Sequence, residues 1–118
     1  MGRALLVVDD DPDLNDLMTM ILGEAGYQVV AATNGQEALA AVTRSMPALI
    51  LLDMKMPVMG GAEFTQAFRE RFDHLAPIVV VTAADDARRR AEEIGAEGWL
   101  GKPFNIGELL AKVQGYLR

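Results

Sequence analysis

Five short apolar runs, each followed by an amphipathic helical pattern, constrain this chain more than any other feature. They cover residues 4–8, 27–31, 48–52, 78–81 and 98–100. Strict alternation of strand and helix patterns calls for a parallel sheet with helices on both faces, because every parallel connection must cross over the sheet. The first, third and fourth runs are apolar throughout, as strands covered on both faces are. The second and fifth are more mixed, which suits sheet edges. The 118 residues fit one domain, residues 1–118, large enough to bury a core without staples.

The intervening helices have readable faces and ends. Leu14, Leu17, Met18, Ile21 and Leu22 follow the i, i+3, i+4, i+7, i+8 stripe, and most of that stripe reads as core with Leu14 its most exposed member. Asp11 is placed to cap this helix with Pro12 at its first position, and Gly26 to stop it. Asn34 with Glu37, and Asn105 with Glu108, have the spacing of capping boxes. Phe64, Ala67, Phe68 and Phe72 mark the third helix. The fourth, over residues 86–94, offers only Ala87, Ala91 and Ile94 to the interior, so it is expected to be thinly packed. In the fifth, Ile106, Leu109, Leu110, Val113 and Leu117 form the apolar face, with Glu108 and Lys112 spaced as an i, i+4 ion pair.

Composition excludes several classes. With no cysteine there is neither a disulfide frame nor a thiolate metal site. A net charge of −6 argues against direct nucleic-acid binding, which needs a basic footprint. The Arg88-Arg89-Arg90 run reads as a solvated helix face. No apolar run approaches the roughly 20 residues needed to cross a bilayer, Met1-Gly2 lacks the hydroxyl residue of a myristoylation signal, and a cytoplasmic protein without membrane contact is expected.

The chemistry lies at the strand ends. Asp9, Asp10 and Asp11 follow the first run, Asp53 the third, Thr82 the fourth, and Lys102-Pro103 the fifth. Ligands in open α/β sheets bind beyond the carboxyl ends of the strands, where the strand order reverses. In the order 2-1-3-4-5, strands one and three are neighbours and their carboxylates meet in one crevice. Carboxylates crowded together repel, and a hard dication such as Mg²⁺ relieves that through oxygen ligands. Asp53 is then a carboxylate nucleophile, with Lys102 a point cation and Thr82 a hydroxyl donor for phosphoryl oxygens. Phosphoryl transfer asks mostly for positioning and charge neutralisation, which this set supplies. Singly, each residue has a plainer reading: Asp11 and Asp13 as helix caps, Asp53 as a turn residue, Thr82 as a strand residue, Lys102 as a solvated lysine. Their coincidence at four strand ends carries the functional reading.

These motifs, Leu6-Val7-Val8-Asp9-Asp10-Asp11, Leu51-Leu52-Asp53-Met54-Lys55-Met56-Pro57, Met59-Gly60-Gly61, Val80-Val81-Thr82-Ala83 and Lys102-Pro103-Phe104, give a chain that resembles a response-regulator receiver domain of two-component signalling. The resemblance spans essentially the whole chain. It implies a (βα)5 doubly wound, flavodoxin-like fold and a phosphoaspartyl at Asp53. It implies a Mg²⁺ site, open to Mn²⁺ as well, formed by Asp10, Asp53 and the backbone carbonyl of Lys55, with Asp9 acting mostly through water. It further implies that Thr82 and Lys102 hold phosphoryl oxygens, and that the Lys102–Pro103 peptide is cis. The implied donor is a phosphohistidine on a histidine kinase or histidine phosphotransfer protein. The implied output is a changed surface over the fourth helix, fifth strand and fifth helix, read by a downstream effector protein or domain.

Such a module catalyses only its own phosphorylation and slow dephosphorylation, as a monomer or a weak phosphorylation-dependent dimer. Thr82 and an aromatic residue near the fifth strand are the implied switch. That aromatic is Trp99, where Tyr or Phe is usual, while Val58 and Gly60 replace residues more often seen as Gly and as Asp or Asn. Leu14 and Leu17 are candidates for docking a partner helix. Free-standing and excised receivers both fit the sequence. Two rivals fare worse. An aspartyl-nucleophile phosphatase wants a second acid where Lys55 stands, and a flavin-binding module wants a hydroxyl- or glycine-rich loop where residues 9–13 are acidic.

Overall fold

A computed structural model describes residues 3–117; Met1, Gly2 and Arg118, and with them the reading made of Met1-Gly2, lie outside the described residues. The chain alternates β1 (Leu5–Val8), α1 (Pro12–Glu24), β2 (Val29–Ala32), α2 (Gly35–Arg44), β3 (Leu49–Leu52), α3 (Gly61–Phe72), β4 (Ile78–Ala83), α4 (Ala84–Ile94), β5 (Gly98–Lys102) and α5 (Ile106–Tyr116). The five strands are parallel in the order β2-β1-β3-β4-β5. The expected doubly wound topology is therefore the observed one.

Period-2 alternation sorts the central strands between two cores. Leu6, Val8, Ile50, Leu52, Ile78 and Val80 face a cluster completed by Ala38 and Val42 of α2, Phe64 and Phe68 of α3, and Ala91 of α4. Leu5, Val7, Leu49, Leu51, Val79 and Val81 face the opposite side, against Met18, Ile21 and Leu22 of α1 and Leu109 and Val113 of α5. Burial on both faces explains why these strands read as unbroken apolar runs. Phe64, Phe68 and Phe72 stack along α3 with centroids 5.7 and 5.5 Å apart. On α4 only Ala87 and Ala91 are buried, with Ile94 partly so, as the sequence pattern anticipates.

Several boundaries differ from the sequence reading. β2 starts at Val29 rather than Tyr27, β4 runs on through Thr82 to Ala83, β5 runs on to Lys102, and α4 begins at Ala84 rather than 86. The strands extend because β4 and β5 pair up to Ala83 and Lys102, a tertiary gain that local sequence does not display. Asp11 caps α1 by accepting from Asp13 N and Leu14 N, and Gly26 follows with φ 101°. The Asn105–Glu108 capping box is complete. At α2 only half of one forms: Asn34 accepts from Glu37 N, but the Glu37 carboxylate turns to Thr33 N and Oγ1, both at 2.7 Å. Glu108 Oε1 accepts from the Asn105 N–H, and the expected pair with Lys112 does not form among the described residues.

The inner face of α1 is also rotated from expectation. Leu17 is 43% exposed, more so than the half-buried Leu14, while Asn15 is buried at 4% exposure. Among the described residues, no helix is long and apolar enough to cross a membrane.

Candidate functional site

The sheet register assembles the site. Val8 pairs with Leu52 and Leu52 with Val80, so the residues that follow, Asp9 and Asp53, leave adjacent strands side by side. Asp53 N donates to Val8 O at 2.9 Å, holding the two strand ends together. Asp9, Asp10 and Asp53 each offer one carboxylate oxygen within 4.8 Å of the others. Asp9 and Asp53 are buried, at 2% and 6% exposure, and Asp10 is exposed.

Lys102, the last residue of β5, reaches across to this cluster. Its Nζ lies 2.8 Å from Asp9 Oδ2 and 3.7 Å from Asp53 Oδ1, and the peptide that follows it is cis. The Asp53 carboxyl is pushed above the usual carboxylate range, first by burial and then by the charge of Asp9. Lys102 and the Met54 N–H partly oppose the rise, and Asp10 adds to it. Thr82 is buried at 6% exposure near the end of β4, two residues beyond Val80, the strand partner of Leu52.

The loop after β3 is held by close backbone approaches. A Cβ on Gly61 would meet Asp53 O at 2.6 Å, and one on Gly35 would meet Met59 O at 2.8 Å. The Gly35 N–H also donates to Met59 O at 2.8 Å. Lys55 lies exposed within this loop. Val58, 74% exposed, takes the left-handed conformation with φ 70°, which a β-branched residue adopts only at a cost.

Of the residues read from sequence, Asp9, Asp10, Asp53 and Lys102 come together directly. Leu14 and Leu17 sit beside them, lining a groove of about 550 Å³ with Asp11, Asp13, Ala83, Lys102, Pro103 and Phe104. Trp99 lies outside the acidic cluster on β5. It is 41% exposed, and the Arg88 guanidinium carbon stands 5.8 Å over its ring. His74 is exposed, with Nδ1 3.3 Å from Glu97 Oε2. Sequence reasoning missed Asn15, whose signal is its i, i+3, i+7 spacing to Met18 and Leu22.

Three carboxylates with one neighbouring ammonium leave an excess of negative oxygen donors. That is the donor set that suits a hard dication such as Mg²⁺. The family model of the response regulator receiver domain matches residues 5–114. This chain belongs to the response-regulator receiver family. It is 38% identical over 120 residues to the DNA-binding response regulator MtrA of Mycolicibacterium smegmatis, covering 100% of this chain and 52% of that protein. It is 34% identical to the sporulation initiation phosphotransferase F of Bacillus subtilis, covering 99% of this chain and 95% of that one. It superposes on the structure of the chemotaxis protein CheY4 of Vibrio cholerae with a TM-score of 0.89 at 35% identity, covering 99% of this chain and 100% of that chain. Among curated relatives it thus spans about half of one and nearly all of another. As a receiver domain it is a phosphoacceptor signalling module of two-component systems, with the acidic pocket at which receivers bind Mg²⁺.

Proposed function

We propose that Asp53 accepts a phosphoryl group from a phosphohistidine on a histidine kinase or histidine phosphotransfer protein. The observation that carries this is the convergence of Asp9, Asp10 and Asp53 within 4.8 Å, with the Lys102 ammonium at their edge. An Asp53 carboxylate oxygen attacks phosphorus, the P–N bond breaks, and the imidazole leaves with the bonding pair. Asp10, Asp53 and the Lys55 carbonyl would hold Mg²⁺ or Mn²⁺, with Asp9 beside them acting through water. That ion would supply charge neutralisation on the phosphoryl oxygens. Lys102 balances a further oxygen, and Thr82 donates its hydroxyl to another.

Phosphorylation would bias the α4–β5–α5 surface through Thr82 and Trp99, changing what a downstream effector meets. The thin packing of α4 on Ala87 and Ala91 suits an element with two nearby positions. The donor would dock an apolar helix face into the groove lined by Leu14, Leu17 and Phe104, which opens beside Lys102.

The test is intact-mass measurement after incubation with acetyl phosphate or phosphoramidate, with and without Mg²⁺. One added phosphoryl group is expected, dependent on Mg²⁺ and absent from Asp53→Asn. Unchanged mass in the wild type, or the same gain in Asp53→Asn, overturns the reading.

A further inference from the structure

Asn15 is a buried polar residue in a helix face otherwise built from Met18, Ile21 and Leu22. Its Nδ2 donates to Asp9 O at 2.9 Å and to Ala32 O at 3.0 Å. Both partners are carbonyls, which only accept, so the amide presents its NH2 to them. These carbonyls lie at the carboxyl ends of β1 and β2. Ala32 O is also met by Asp9 N at 3.1 Å. Asp9 Oδ1 accepts from Asp11 N at 2.9 Å, and Asn15 N donates to Asp11 O at 2.9 Å. The exposed Asp10 is therefore suspended between two residues whose backbones are tied down, and Asn15 holds a tie on each side.

We propose that Asn15 is a positioning residue for the acidic site: through the Asp9 carbonyl it fixes the Asp9–Asp10 peptide so that the Asp10 carboxylate stays beside Asp53. This rests on the metal-dependent reading above. Leucine in its place matches the size and apolar surroundings but leaves Asp9 O without this donor, and the loop gains freedom to turn Asp10 away. Residues that orient metal-binding groups without touching the ion typically carry ~10–100-fold in affinity. An effect of about 10-fold is expected here, because Asp53 and the backbone of Lys55 stay in place.

The experiment titrates Mn²⁺ into the whole chain and reads free and bound ion by electron paramagnetic resonance, with circular dichroism confirming the fold. Asn15→Leu should weaken Mn²⁺ by about 10-fold and broaden the bound-ion spectrum. Asn15→Ser, which keeps one donor, should fall between Leu and wild type. Leu109→Ala, which loosens α5 on the same face of the sheet, should lower melting temperature and leave Mn²⁺ affinity alone. Wild-type affinity in folded Asn15→Leu and Asn15→Ser overturns the role of Asn15, as does a loss in Leu109→Ala equal to theirs. Wild-type protein that binds no Mn²⁺ overturns instead the metal-dependent reading on which the inference rests.

Discussion

Lys102 Nζ bonds Asp9 Oδ2 at 2.8 Å but stands 3.7 Å from Asp53 Oδ1. Among the described residues Lys102 supplies the ammonium at the site, and it is bonded to Asp9 rather than to Asp53. Asp53 keeps a Met54 N–H at 2.8 Å and a weaker share of the Lys102 charge. Removing the cation leaves three carboxylates facing one another. Lys102→Met is expected to cost about 1–3 kcal/mol at pH 7, below the range for a fully buried pair because the lysine is partly exposed. The loss should shrink when the pH is lowered to about 4, because the Asp53 carboxyl, its pKa raised by burial and by the Asp9 charge, takes up a proton and one of the facing charges is removed. Urea unfolding at both pH values measures it, and equal stability of wild type and variant at pH 7 would show that the acids are not crowded.

Asp53 sets a second pH dependence, of definite sign. Burial and the Asp9 charge raise its folded-state pKa above the ordinary value of 3.8. Ionising it therefore costs the folded state more than the unfolded chain, and stability is lost as pH rises from about 4 through the raised value. Asp53→Asn removes that penalty. In metal-free buffer it should be more stable than wild type at pH 7, by on the order of 1 kcal/mol, and equal to it below about pH 4. Millimolar Mg²⁺ should stabilise wild type by ligand linkage and leave the variant nearly unmoved. Melting curves at three pH values with and without Mg²⁺ decide it; a less stable Asp53→Asn at pH 7 without metal contradicts the geometry.

The sequence made the architecture and most of the site legible for one reason. Buried parallel strands leave long apolar runs, so the residue at which each run stops, such as Asp9 or Asp53, announces a strand end. The less legible parts depend on pairing between distant segments. Thr82 reads as lying past its strand, yet it belongs to β4 because Gly101 of β5 is there to pair with it. Asn15 hides because polarity signals an outward face, and only the carbonyls of Asp9 and Ala32 explain a buried amide. Leu17 reads as core for the converse reason. The Glu37 carboxylate had two donors within reach, and the spacing that suggests a capping box is silent about Thr33.

Val58 holds φ at 70° with its side chain 74% exposed. A β-branched residue in that region costs about 1–3 kcal/mol, while glycine accepts it freely at a price of about 0.5–1 kcal/mol in unfolded-chain entropy. Val58→Gly should therefore stabilise the domain by about 1 kcal/mol, a rise of roughly 4 °C in melting temperature. A fall in melting temperature would mean that the loop does not hold this conformation in solution.

Arg88 covers one face of Trp99, with its guanidinium carbon 5.8 Å from the ring centroid, and Nε also pairs with Glu92 at 3.2 Å. Trp99 is the only tryptophan, so the indole emission comes from this site alone. Arg88→Ala should make Trp99 more accessible to acrylamide and change stability by less than about 1 kcal/mol. Unchanged quenching would show that the arginine does not rest on the indole.

The opposite end of the sheet is closed by Glu97, just before β5. Its Oε1 accepts from Ile78 N at 2.7 Å and from Arg69 at 3.0 Å, and its backbone carbonyl accepts from Tyr116 Oη at 2.9 Å. Burial alone would raise the Glu97 pKa, but the Ile78 N–H and Arg69 outweigh it, and the net shift is downward from 4.5. A depressed folded-state pKa contributes stability that is present above about pH 4.5 and lost as pH falls through the folded value. Glu97→Gln keeps the shape but turns an amide NH2 toward donors and drops the charge opposite Arg69. A loss of about 1–2 kcal/mol is expected at pH 7, held to that range because the carboxylate is partly exposed. Asp53 titrates alike in both proteins, so its contribution cancels in their difference. The gap between them should close as wild-type Glu97 itself protonates in acid. Urea midpoints at pH 7 and pH 3.5 test this, and a gap of equal size at both would assign the loss to packing rather than to the carboxylate charge.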